Sequence, residues 1–174
     1  DLYNPNPDRE RVGPWDVMAR GSKNGNPPGS QPAHMLAWQK LKLGWILPER
    51  TRVVQKGDYE EIVLEPSEAS TTGFQAMLIH VDAQHSYVVE NRQKIGYDSG
   101  LPSAGVLISY IDQSVGEPSI GVIDTNPDTP TLNDAPLQVN GTISFENDQI
   151  RVTVISAQKL TFKVAVDRRG PLPD

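Results

Sequence analysis

Ser86-Tyr87-Val88-Val89-Glu90-Asn91 and, further on, Ala104-Gly105-Val106-Leu107-Ile108-Ser109-Tyr110-Ile111 decide how this chain folds. Both runs are short and rich in Val, Ile and Tyr, and turn residues such as Asp98-Ser99-Gly100 lie between them. Runs of this kind read as β-strands. Outward from them the same period-two pattern recurs from Pro48 to the end. It predicts strands at 51–55, 59–64, 74–81, 118–123, 137–139, 142–145, 149–155 and 160–166, beside 86–91 and 104–111. Lys56-Gly57-Asp58 and Glu146-Asn147-Asp148 are among the separating turns. Many short strands punctuated about every 8–12 positions imply a sandwich or barrel. The expected fold is therefore mostly β: a β-sandwich with a short N-terminal α-containing segment.

That segment precedes the strands. Residues 1–31 are rich in Pro, Gly and Asn, and Asn24-Gly25-Asn26-Pro27-Pro28-Gly29 suits neither a helix nor a central strand. Residues 32–43 read as one helix, with Ser30 as its cap, Pro32 in its first turn and Gly44 as its stop. Met35, Trp38 and Leu41 recur at helical spacing, and Trp45 and Ile46 after the stop predict a packed exit. The division expected is 1–47 for this segment, 48–167 for the sandwich and 168–174 for a frayed tail.

Composition narrows the function. The chain has 174 residues, of which 37% are hydrophobic, so it can build a core of ordinary size. Net charge is −6 with the acidic residues dispersed, which argues against binding a nucleic-acid backbone. No apolar run is long enough to span a membrane. No cysteine is present, so disulfides, thiolate metal sites and thiol nucleophiles are excluded. A first residue that is Asp1 rather than Met, with no signal-peptide pattern after it, reads as a processed product or a piece of a longer protein.

Three blocks are more specific. The first is Asp1-Leu2-Tyr3, then Val12-Gly13-Pro14-Trp15-Asp16-Val17-Met18-Ala19, then Pro32 to Trp45 around Ala37-Trp38-Gln39-Lys40-Leu41. The second is Tyr87-Val88-Val89-Glu90-Asn91-Arg92-Gln93 with Gly96-Tyr97-Asp98-Ser99-Gly100-Leu101-Pro102 and Gly105-Val106-Leu107-Ile108. The third is Thr131-Leu132-Asn133-Asp134-Ala135-Pro136-Leu137. In that order, and over nearly the whole chain, they resemble the C-terminal part of secreted zinc metallopeptidases of the immune inhibitor A type. The resemblance implies a zinc-binding helix of the form HExxHxxGxPD just upstream, in the same or a separate chain. Its two His hold the metal and its Glu activates the zinc-bound water. It also implies that Asp1 matches the acidic third ligand of the parent's zinc, that Met18 matches the methionine turn under the metal, and that residues 32–43 match the last helix of the catalytic domain. The parent would act on protein or peptide substrates in the secreted or cell-surface compartment.

The metal-binding helix itself is not encoded here. The histidines are His34, His80 and His85, and none forms an HExxH pair. A catalytic zinc site needs about three protein ligands, so this chain alone is expected to be inactive.

Other features carry two readings each. Met18 is either the methionine turn or an ordinary buried Met. Glu90-Asn91-Arg92 is either a polar cluster joining the sandwich to the catalytic domain or a satisfied network at a strand end. Glu90 and Arg92, two apart on one strand face, are also placed to form a local ion pair. Asp124, Asn126 and Asp128 alternate in a way that suits a calcium ion, with Asn133 and Asp134 nearby, and Asn4, Asn6 and Asp8 repeat the alternation. The same residue types dominate plain turns. Asn140-Gly141-Thr142 is a glycosylation triplet. Trp15, Trp38 and Trp45 read as core packing around the helix rather than as a carbohydrate platform. The alternative to a metallopeptidase fragment is a non-catalytic extracellular binding or assembly module, as in a cell-surface layer or filament. A third reading is a chaperone-like piece that accompanies a separate catalytic chain.

Overall fold

The structure, a computed structural model, describes residue 2 and residues 11–114 and 119–170. Among them nine strands form two sheets, and the fold is mostly β as expected. The first sheet has the order β1-β3-β4-β5-β6, with β1 Thr51–Val54, β3 Ala76–His80, β4 His85–Arg92, β5 Gly105–Asp112 and β6 Ser119–Val122. The second has the order β2-β9-β8-β7, with β2 Tyr59–Leu64, β7 Thr142–Phe145, β8 Ile150–Gln158 and β9 Thr161–Asp167. Among the described strands the β1–β3 ladder is parallel and the other ladders are antiparallel.

Alternation along each strand divides the apolar residues between two cores. Met77, Ile79, Tyr87, Val89, Val106 and Ile108 of the first sheet face Val152, Val154, Val164 and Val166 of the second. Their neighbours Ala76, Val88, Leu107 and Ile111 point the other way, onto Val12, Trp15, Leu36, Ala37, Trp38 and Ile46 of the N-terminal segment. The molecule therefore has three layers, and the five-stranded sheet is the middle one. A strand covered on both faces stays apolar along its length, which is why β4 and β5 are buried almost end to end.

The N-terminal layer departs from expectation in its helix. Helix α1 runs only from Ala37 to Lys42, and Leu36 before it is extended. The amides that would have begun an earlier helix have acceptors elsewhere. His34 N donates to Asp98, Leu36 N to Asp16 and Gln39, and Ala37 N to Glu90. Carboxylates from the rest of the fold thus replace the first helical turn, and Ser30 is not the cap. Gly44 does end the helix, at φ +72°, with Trp45 N returning to Lys40 O. The exit is packed only in part: Ile46 is buried, whereas Trp45 is 62% exposed.

Strand 137–139 reduces to a single bridge between Val106 and Leu137. Pro118 lies outside the described residues, as do 171–174 of the tail. The tail's start is not frayed. Arg168 is buried and donates to Val54 O at 3.4 Å and His80 O at 2.5 Å. No helix among the described residues is long and apolar enough to cross a membrane.

Candidate functional site: a buried charge cluster beneath the N-terminal segment

Glu90 and Arg92 project from β4 into the interface between the sheet and the N-terminal segment. Asn91, between them, projects to the other face. There it donates to Leu64 O and Leu160 O and receives Gln93, tying the two sheets together. The Glu90-Asn91-Arg92 triplet is thus a satisfied network that also joins layers, and its residues serve different interfaces.

Arg92 is the hub. Its Nε donates to Glu68 Oε1 at 2.6 Å, Nη1 to Trp15 O at 2.9 Å and Nη2 to Asp98 Oδ2 at 2.6 Å, with His34 O at 3.5 Å. The Arg92, Glu68 and Asp98 side chains are wholly buried. Glu90 Oε1 accepts Ala37 N and Oε2 accepts Ser67 Oγ, both at 2.8 Å. Lys40 of α1 completes the cluster by donating to Ser67 O at 2.9 Å. A planar guanidinium with several fixed donors suits this role, because one side chain reaches two carboxylates and two backbone carbonyls.

The charges shift one another. Burial works against the Arg92 charge, but Glu90, Asp98 and Glu68 outweigh it and hold the guanidinium more basic than usual. Burial would raise Asp98, yet Arg92 and the His34 amide keep it below the ordinary carboxylate range. Burial, and then the adjoining Asp98 carboxyl, push Glu68 up to about 8 against the pull of Arg92. Burial lowers Lys40 against the pull of Glu90.

Asp16 organises the neighbouring turn. Its buried carboxylate accepts Met18 N and Leu36 N, each at 2.7 Å, although burial raises its pKa. Met18 O in turn accepts Leu2 N at 2.9 Å. Met18 is not an ordinary buried methionine, since it is 41% exposed. Trp15 is fully buried and its indole donates to Leu132 O at 2.7 Å. Trp38 is buried too, with the Lys42 ammonium 4.3 Å from its ring.

The remaining candidates lie apart from this cluster. Asp1, Asn4, Asn6 and Asp8 fall outside the described residues. Asp124 accepts Asn126 N, Asn126 donates to Asp134, and Asp134 also accepts Thr129. These are the bonds of an Asx turn and its closing contacts, and Asp128 is exposed. Asn126 and Asp134 also line an open cavity of about 670 Å³ with Ser103, Thr125 and Gln138. Asn140 is exposed in a left-handed turn at φ +66°.

The histidines do not converge. His34 lies in the segment that leads into α1, and burial lowers its pKa. His80 pairs with Ser86 at 3.1 Å. His85 sits between Asp82 and Asp112 and stacks on Tyr110. Among the described residues no group of three or more His, Asp and Glu side chains is placed to hold a metal ion.

The sequence signal for the cluster was partial. Glu90 and Arg92 stand out as charges at the end of an apolar strand. Asp16, Lys40, the adjacent Ser67 and Glu68, and Asp98 did not, because they come from four separate stretches of chain and look like ordinary surface or turn residues. Comparison with protein-family models, with curated proteins and with solved structures found no match.

Proposed function

We propose that this chain is the C-terminal portion of an extracellular zinc metallopeptidase of the immune inhibitor A type, and that it is not catalytic in isolation. One observation carries the reading. The resemblance makes Asp1 a zinc ligand and puts Met18 in the turn beneath the metal, so the chain near residue 1 must return to residue 18. Leu2 N donates to Met18 O at 2.9 Å. An exposed Met18 side chain on a turn fixed by Asp16 is consistent with a surface that upstream residues cover.

The described residues do not fit zinc. His34, His80 and His85 stand on separate elements with their own partners, and no step of zinc chemistry is assigned to this chain. Its part is architectural: the sandwich carries the segment at 11–47, and the Arg92 cluster seats that segment on the middle sheet. The partner is the upstream domain that carries HExxH, and the substrate of the whole is protein or peptide outside the cell. The test is casein hydrolysis by residues 1–174 and by a version extended through its natural upstream sequence. Chelator-sensitive hydrolysis by the extended protein alone is the expected result. Hydrolysis by residues 1–174 alone, or by neither, overturns the proposal.

A further inference from the structure

The Arg92 cluster holds more negative charge than it can balance. Four carboxyls face it: Glu90 from β4, Glu68 from the loop after β2, Asp98 from the turn at Gly96–Gly100, and Asp16 from the N-terminal segment. Among the described residues two cations answer them, Arg92 from β4 and Lys40 from α1, and the His34 imidazole lies within their field. Fully ionised, the group would carry two uncompensated negative charges away from water, and a buried charge without a partner takes up a proton instead.

Geometry selects the carboxyl that holds the proton. Asp16 accepts two backbone amides at 2.7 Å each. Asp98 accepts His34 N and the Arg92 guanidinium. Glu90 accepts Ala37 N and Ser67 Oγ. Glu68 has Arg92 Nε and only a long contact to Gln93 N at 3.4 Å, and its carboxyl stands within hydrogen-bonding reach of Asp98. Each of the four has two donors, but Glu68 has the longest second contact and a carboxylate as neighbour, so it is the natural proton donor of the pair.

We propose that the cluster is a proton-dependent latch: one proton on Glu68, donated to Asp98, keeps the segment at 11–47 seated on the five-stranded sheet, and its loss in alkaline solution loosens that segment. The contacts at stake are those of Arg92 with Trp15 O and His34 O, of Asp98 with His34 N and of Glu90 with Ala37 N. All of them tie backbone of the N-terminal segment to the sheet or its loops. Deprotonation puts a third carboxylate on Arg92, and either water enters or the segment lifts. The latch belongs to this chain and does not depend on what the chain does.

The sign follows from linkage. A carboxyl that binds its proton more tightly in the folded than in the unfolded chain stabilises fully below its unfolded pKa, and that stability is lost as pH rises through the folded value. His34, lowered in the fold, acts oppositely below its ordinary pKa, and Lys40 acts oppositely toward its own. The informative quantity is therefore the difference between the natural chain and Glu68→Gln, which mimics the protonated acid at every pH.

Thermal melting of both proteins is followed from about pH 5 to 9. The expected result is a Tm that falls by several degrees across the upper part of this range for the natural chain and does not fall for Glu68→Gln. Trypsin cleavage within 11–47 at about pH 9 should be faster in the natural chain than in the variant. Parallel pH profiles overturn the proposal. Should Glu68→Gln fail to fold, carboxyl NMR of the natural chain decides. Glu68 titrating well above the ordinary carboxylate range supports the latch, and titration near about 4.3 overturns it.

Discussion

Arg92 and Asp98 are six positions apart in the chain and meet at 2.6 Å with both side chains fully buried. The strand carries Arg92 to the floor of the N-terminal interface, and the turn at Gly96–Gly100 brings Asp98 back over it. Asp98 then spends its other oxygen on His34 N. The pair therefore links a strand, a turn and the extended lead into α1 at one point.

Removing one partner of such a pair strands the other charges. Arg92→Ala leaves Glu68, Asp98 and Glu90 without their main cation and should cost about 3–5 kcal/mol. Arg92→Lys keeps the charge but cannot reach both carboxylates and Trp15 O together, so it should recover only part of the loss. Urea unfolding measures both. Equal stability of Arg92→Ala and the natural chain would show that the cluster does not hold the layers together.

Trp38 lies on the face of α1 that packs into the N-terminal core, and it is buried. Truncating a buried Trp to Ala costs about 3–5 kcal/mol. An unchanged melting temperature for Trp38→Ala would mean that the six-residue helix is a loose appendage.

Asp16 and Met18 should behave in opposite ways. Asp16→Ala leaves the Met18 amide without its short bond and Leu36 N with Gln39 alone, and a buried donor left unpaired costs about 1–3 kcal/mol. Met18→Ser changes an exposed side chain and should stay within about 0.5 kcal/mol. A Met18→Ser variant as unstable as Asp16→Ala would contradict the assignment of Met18 to a surface turn.

Residues 1–174 should hold no stoichiometric zinc. His80 and His85 are used by Ser86 and by the Asp82–Asp112 pair, and His34 stands on another element. Metal analysis after dialysis checks this, and one tightly held zinc per chain is the contrary result.

The strands were the legible part of the fold, because β4 and β5 declare themselves through short runs rich in Val, Ile and Tyr. What the pattern could not show was that both faces of the middle sheet are covered, since covering one of them falls to an irregular segment with no periodicity. The helix was overestimated for the same reason. Its early amides are captured by Asp16, Glu90 and Asp98, and no local signal at 32–36 reveals acceptors that lie so far off in sequence. Glu90 and Arg92 were visible because charge at the end of an apolar strand needs partners where it is buried, but the identity of those partners is a property of the fold alone.

Under the proposed function this chain completes an enzyme whose metal-binding helix lies just upstream of it. The most direct measurement is the coding sequence upstream of Asp1 in the gene. The expected result is an open reading frame continuing into an HExxHxxGxP helix that ends just before Asp1. A stop codon there, or a signal-peptidase site that makes Asp1 the mature start, would contradict it.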